Sequence, residues 1–179
     1  MCAVRPGGNA GNETQKNAAV EIVMVSQILF SSRSEEWGTP LSLFAELDRE
    51  FDFTLDPCAT RYNAKCARYY DAKLDGLKQD WTGERVFMNP PYGRQIGDWM
   101  KKARLEAAKG ALVVCLVHAR TDTRWWHENV EGNADEVRFI RGRVKFERQQ
   151  GATFCAPFPS AVVIYRPRKP RPQAWFGRR

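Results

Sequence analysis

The sequence lacks any apolar run approaching the roughly 18 residues that a membrane-spanning helix needs, so no segment reads as a span. It is poor in metal-binding side chains, with two histidines and five cysteines. The cysteines stand at positions 2, 58, 66, 115 and 155, an odd number with no Cys-x-x-Cys pair. That spacing is too loose for a structural zinc site, and no metal is expected. The thiols read as reduced, as in a cytoplasm, with Cys115 a small buried hydrophobe. No Gly-x-Gly-x-x-Gly turn follows a strand-like segment, which argues against a dinucleotide-dependent oxidoreductase. Internal repeats are also missing. The first 34 residues show no basic-then-apolar signal architecture. They hold Pro6-Gly7-Gly8 and Gly11-Asn12 and read as a flexible segment, with Met24 an alternative start.

Acidic residues are the scarcer charge, 21 against 28 basic ones, which leaves a formal charge of +7. A basic excess suits a nucleic-acid partner but also serves solubility. Its distribution is uneven. Arg138, Arg141, Arg143, Lys145 and Arg148 cluster late in the chain, and residues 167–179 form a basic, proline-rich tail that is expected to be extended and mobile.

What is present is enough for one folded domain. A chain of 179 residues at 43% hydrophobic can bury a core. Leu41, Phe44, Leu47 and Phe51 recur at three- and four-residue spacing behind Thr39, a good N-cap, and Pro40, a good first helical residue. Phe53-Thr54-Leu55 reads as a strand ending at Asp56-Pro57. A second helix is expected over Asn63 to Tyr69, then an irregular stretch over 70–84 with a short strand near Tyr69-Tyr70. Arg85 to Met88 is strand-like, and a long helix runs from Gln95 to Lys109, stopped by Gly110. Ala111 to Val117 is apolar throughout, as in a strand buried on both faces of a parallel sheet. Thr121 to Val130 reads as helix capped by Thr121 or Asp122, and Val137 to Ile140 and Ala161 to Tyr165 as strands. Residues 141–159 read as a long loop that would make the last strand antiparallel. Strands alternating with helices imply an α/β, mostly parallel sheet.

The chemistry is concentrated in Asn89-Pro90-Pro91-Tyr92, directly after a strand-like run. Loops at the carboxyl ends of strands are where open α/β sheets bind ligands. Asn89 offers a side-chain carbonyl acceptor. The two prolines stiffen the loop and remove N–H donors. Tyr92 adds an aromatic face. Such an edge suits an exocyclic amino group. A chance occurrence of this pattern in a chain of this length is on the order of 1%.

Asn-Pro-Pro-Tyr after a strand resembles the catalytic box of S-adenosylmethionine-dependent amino-group methyltransferases. Further segments are similar to the phage-type, Dam-like DNA N6-adenine methyltransferases of phages and prophages. They are Trp37-Gly38-Thr39-Pro40, Leu55-Asp56-Pro57-Cys58-Ala59, Gly76-Leu77 with Asp80-Trp81, Thr121-Asp122-Thr123 with Trp125-Trp126, and Gly142 to Phe146. The likeness spans about Glu36 to Arg166. It implies a Rossmann-like methyltransferase fold with a mostly parallel sheet and an antiparallel last strand, in a minimal single domain over 35–166. It implies a catalytic set Asn89, Pro90, Pro91 and Tyr92. Trp37, Thr39, Pro40, Asp56, Pro57, Cys58, Ala59 and Asp80 would bind S-adenosylmethionine, with Asp71 or Asp75 for the ribose. Arg143, Lys145 and Phe146 would meet double-stranded DNA in a loop covering the target base. The family's usual glycine-rich loop is replaced by Pro57-Cys58-Ala59-Thr60. The implied activity is methyl transfer to the N6 of a flipped-out adenine, in a bacterial host cytoplasm, by a protein expected to be a monomer. Two other readings share parts of the pattern: methylation of another amino group (RNA guanine or protein glutamine), and an inactive nucleic-acid-binding module.

Overall fold

The computed structural model describes residues 38–147 and 153–168. The expectations for residues 1–34, Trp37, Arg148 and the tail beyond 168 lie outside them. Helix α1 spans Leu41–Phe51. Strands β1 (Leu55–Asp56) and β2 (Arg68–Tyr69) follow, then a 3-10 turn at Gly76–Lys78 and β3 (Arg85–Met88). Next come α2 (Ile96–Lys109), β4 (Leu112–His118), α3 (Arg124–Asn129) and β5 (Glu136–Phe139). A ribbon of β6 (Lys145–Glu147) and β7 (Thr153–Cys155) precedes β8 (Ser160–Tyr165).

Six of these strands form one sheet in the order β2-β1-β3-β4-β8-β5. Pairing is parallel from β2 through β4. Strand β8 is antiparallel to both neighbours, β4 and β5, so the last strand among the described residues lies inside the sheet and runs against it. The sheet is therefore mixed and mostly parallel.

Alternation along the strands sorts the apolar residues onto two faces. Val113, Cys115 and Val117 of β4 pack with Ile96, Trp99, Met100, Ala103 and Ala107 of α2. Val114 and Leu116 face the other way, toward Leu47 and Phe51 of α1 and Phe146 of the ribbon. Both faces of β4 are covered, which is why its sequence shows no polar alternation. Helix α2 ends where Gly110 adopts φ 116°, a left-handed conformation that costs glycine no Cβ clash. Glu106 of α2 is buried, yet it accepts from the Trp81 backbone N–H at 3.0 Å and pairs with Lys102 and Lys109.

Four expectations change. Asn63 to Tyr69 is not a helix. Arg68 and Tyr69 instead pair with Leu55 and Asp56 as β2, and a turn precedes them in which Asn63 Oδ1 accepts from the Thr60 N–H at 2.6 Å. Thr39 does not cap α1, which starts at Leu41 behind Pro40. The Leu41 N–H instead donates to Glu147 Oε1 at 3.2 Å, a carboxylate favourably placed at a helix N-terminus. Helix α3 starts later than expected, at Arg124, and Thr123 precedes it without a side-chain cap, its hydroxyl donating to the Arg120 carbonyl. The stretch 141–159 is not all loop: it contains the β6–β7 ribbon, with Phe146 opposite Phe154. The ribbon is tied to the start of α1 by two backbone hydrogen bonds between Gly38 and Glu147, at 3.0 and 2.8 Å.

Candidate active site

The carboxyl ends of the parallel strands lie along one edge of the sheet. They present Asp56 at the end of β1, Tyr70 and Asp71 after β2, Asn89 to Tyr92 after β3, and His118 at the end of β4. A cavity of about 400 Å³ opens there. Thr39, Asp56, Pro57, Cys58, Ala59, Asn89 and Pro91 line it, joined by Asp71 and Asp75. Asp56 and Asn89, about 33 residues apart in sequence, thus meet at one cavity through parallel pairing of β1 and β3.

Asp56 is 5% exposed. Its Oδ1 accepts from the Cys58 N–H at 3.4 Å and its Oδ2 from the Lys65 N–H at 3.1 Å. Burial pushes its pKa up to about 6, against those hydrogen bonds and the nearby Lys65 charge. A buried carboxylate in this state gains most from a cationic neighbour. Burial likewise raises the Cys58 thiol well above its ordinary range, so Cys58 is a neutral wall residue.

Asn89 donates from Nδ2 to Thr39 Oγ1 at 3.1 Å. This bond fixes the amide orientation, with the carbonyl oxygen as the acceptor end. Thr39, buried at 2% exposure, is thereby a support for the loop, not a cap. Pro90 is buried behind it. The Tyr92 hydroxyl donates to the Leu116 carbonyl at 3.3 Å, which pins the ring. His118, Phe158 and Phe146 surround that ring at centroid distances of 5.1, 5.3 and 6.0 Å. Burial lowers the His118 pKa, so its imidazole is neutral at neutral pH.

A glycine closes the cavity wall. A Cβ on Gly76 would stand 1.9 Å from the Pro57 carbonyl oxygen, so backbone approaches backbone directly there. Asp80 is placed differently. It is exposed and accepts from Thr82 in a local turn, away from the cavity lining. Pro40 also lies outside the lining.

This strand-edge cavity beside an Asn-Pro-Pro-Tyr loop can be set against known proteins. The family model described as DNA N-6-adenine-methyltransferase (Dam) matches residues 25–174. The chain belongs to that family. The DNA N-6-adenine-methyltransferase of Haemophilus phage HP1 (strain HP1c1) is 27% identical over 144 residues, 78% of this chain and 83% of the relative. The enzyme of the same description from Escherichia phage T1 is 30% identical over 106 residues, 58% of this chain and 44% of that relative.

In this methyltransferase, Arg143 just before the ribbon and Lys145 at its start are exposed, as a nucleic-acid contact requires. Phe146 alternates to the opposite side and is fully buried behind Tyr92. Arg138 is committed elsewhere: its guanidinium pairs with both oxygens of Glu50 and with Glu136. Sequence reasoning missed Thr60, Asn63, Lys65, Tyr70, Gln95 and Trp99 as cavity residues. Most come from turns whose course is set by tertiary contacts. The signal that could have found Lys65 is its spacing of nine residues from Asp56 across a turn-rich segment. Among the described residues no cluster of His, Cys, Asp or Glu could hold a metal ion, and no helix is long and apolar enough to cross a membrane.

Proposed function

We propose that the chain transfers a methyl group from S-adenosylmethionine to the N6 amino group of an adenine turned out of duplex DNA. The observation that carries this reading is that Asn89 and Pro91 of the amino-group box border the same cavity as the buried carboxylate of Asp56. Family membership supplies DNA as substrate and the need for a methyl donor. The donor set fits the proposed cofactor. Asp56 would receive its ammonium group, Asp71 just after β2 its hydroxyls, and Ala59, Leu77 and Trp99 its apolar surface. A volume near 400 Å³ falls in the range of small-molecule sites. S-adenosylmethionine supplies an electrophilic methyl group when bound.

The chain's own residues then prepare the acceptor. An adenine inside a duplex is stacked and must leave the stack for chemistry on its amino group. That amino lone pair is conjugated into the ring and is a weak nucleophile. Asn89 Oδ1 and the Pro90 carbonyl accept the two amino hydrogens. Their negative ends stabilise positive charge as it develops on nitrogen, and the rigid loop needs little reorganisation to do so. Tyr92, held by the Leu116 carbonyl, presents a π face to a base that becomes cationic. Exposed Arg143 and Lys145 neutralise phosphates.

The test is incubation with labelled S-adenosylmethionine and unmethylated duplex DNA, followed by nucleoside analysis. Label in N6-methyladenine is the expected result. Label in another nucleoside, or in protein, overturns the substrate assignment. No transfer, together with no cofactor binding, leaves a nucleic-acid-binding module.

A further inference from the structure

The side chain of Lys65 is 10% exposed and lines the cavity. It is the only lysine or arginine among the described residues of that lining. Its backbone N–H donates to Asp56 Oδ2, and its charge is near enough to favour the ionised Asp56 carboxylate, so the two residues share one end of the cavity. Its ammonium group is poorly used for a charge removed from water. Among the described residues its one ion-pair partner is Glu147, whose Oε2 stands 3.7 Å from Nζ. A charge-assisted hydrogen bond would be about 2.8 Å. No hydrogen bond from Nζ forms among the described residues.

Glu147 does not depend on Lys65. Its side chain is 39% exposed, its Oε1 already accepts from the Leu41 N–H, and its backbone is bridged to Gly38 in both directions. The cavity end therefore holds a buried carboxylate and a buried ammonium that are not an ion pair with each other. A ligand with one charge of each sign on a single carbon complements that arrangement. A lone anion or a lone cation would leave one of the two wall charges uncompensated. A DNA phosphate is a poor fit, because the side chain faces a cavity and is nine-tenths covered.

We propose that Lys65 receives the carboxylate of the cofactor's amino-acid end, exchanging its loose contact with Glu147 for it. This rests on the cofactor reading above. It makes Asp56 and Lys65 a matched pair for a zwitterion. It also joins cofactor occupancy to the β6–β7 ribbon, since Glu147 ends β6 one residue after Phe146, the ring packed on Tyr92.

The experiment compares two ligands by calorimetry on the full chain. One is S-adenosylhomocysteine; the other is its decarboxylated analogue, which keeps the amino group. Wild type is expected to prefer the first by tenfold or more. Lys65→Met is expected to abolish that preference while changing affinity for the analogue by less than about twofold. Glu147→Gln, which keeps the acceptor for Leu41, is expected to widen the preference by removing a competing carboxylate. Equal weakening of both ligands by Lys65→Met overturns the proposal and makes Lys65 a packing residue. An unchanged preference in both variants overturns it as well. A wild type that binds neither ligand overturns the cofactor reading itself. That outcome is distinct from binding without discrimination, which leaves the cofactor reading standing and sinks only the role of Lys65.

Discussion

At the scale of single residues, Asn89 and Asp56 are placed for opposite tasks. In the proposed reading Asn89 acts on the amino group, so Asn89→Ala should lower turnover by about 100-fold or more, as loss of a preorganised polar contact does, while cofactor affinity stays within a few-fold. Single-turnover rates and calorimetry check this pair of outcomes. Thr39→Val removes the acceptor that orients the Asn89 amide, and should reduce the same rate by about tenfold without altering KM for DNA. Asp56 has the reverse signature. Its pKa near 6 in the ligand-free protein lies above the ordinary 3.8, so the folded state holds its proton more tightly than the unfolded chain. Stability linked to this group is therefore full below about pH 4 and is lost as pH rises toward 6, a difference of about 3 kcal/mol. Ligand binding runs the other way, because an ammonium needs the carboxylate charged. Asp56→Asn should weaken cofactor binding at pH 8, flatten the decline in apo Tm between pH 4 and 6, and raise Tm above pH 6. Cofactor affinity of the wild type should fall as pH drops below 6. An affinity independent of pH from 5 to 8 would count against Asp56 as the ammonium receptor.

Among elements, α2 does more than cover the sheet. Glu106 ties its C-terminal half to the Trp81 turn, and Lys102 and Lys109 offset the charge. Burial raises the Glu106 pKa, but the hydrogen bonds from Lys102, Lys109 and Trp81 outweigh it and hold the group below the ordinary carboxylate value. Its stabilising contribution is then present at neutral pH and disappears as pH falls below about 4. Glu106→Ala leaves the Trp81 N–H and Lys102 without their partner, and should cost about 3 kcal/mol in denaturant unfolding at pH 7. A loss below about 1 kcal/mol would show that water replaces the carboxylate. The 3-10 turn at Gly76 works by absence of a side chain. Gly76→Ala forces its Cβ onto the Pro57 carbonyl, which must move the wall next to Asp56. Cofactor affinity is expected to fall more than Tm does.

For the whole molecule, the basic charge sorts into committed and available parts. Arg138 and Arg166 pair with Glu136, and Arg138 also with Glu50, whereas Arg141, Arg143 and Lys145 are exposed around the start of the ribbon. Log affinity for duplex DNA should fall linearly with log salt, each phosphate neutralised adding roughly 0.9 to the slope. Replacing Arg141, Arg143 and Lys145 with alanine should make that slope shallower by up to about three such increments, while Arg138→Ala should act through stability instead. An unchanged slope in the triple variant would move the DNA contact to another face.

The amino-acid sequence by itself determined most of the sheet and marked the loop that carries the proposed chemistry. Asn89-Pro90-Pro91-Tyr92 is contiguous, so it stands out as a motif before any neighbour is known. The apolar run of β4 announced burial on both faces, and the absence of a helix between β5 and β8 announced the reversal. Periodicity found α1 and α2 because each buries one face against the sheet. It misjudged Asn63 to Tyr69, where Arg68 and Tyr69 pair with β1 as a strand. Only the tertiary structure decided the partners across long separations. Thr39 passed from an apparent cap to the support of Asn89, 50 residues on, while Glu147 took over the N-terminus of α1. Asp80, which the resemblance placed among the cofactor-binding residues, is held in solvent by the turn at Thr82. Lys65 gained its place only when β1 and the ribbon closed around it. Local pattern encodes which face a residue turns inward; which residue meets it there depends on how distant strands pair.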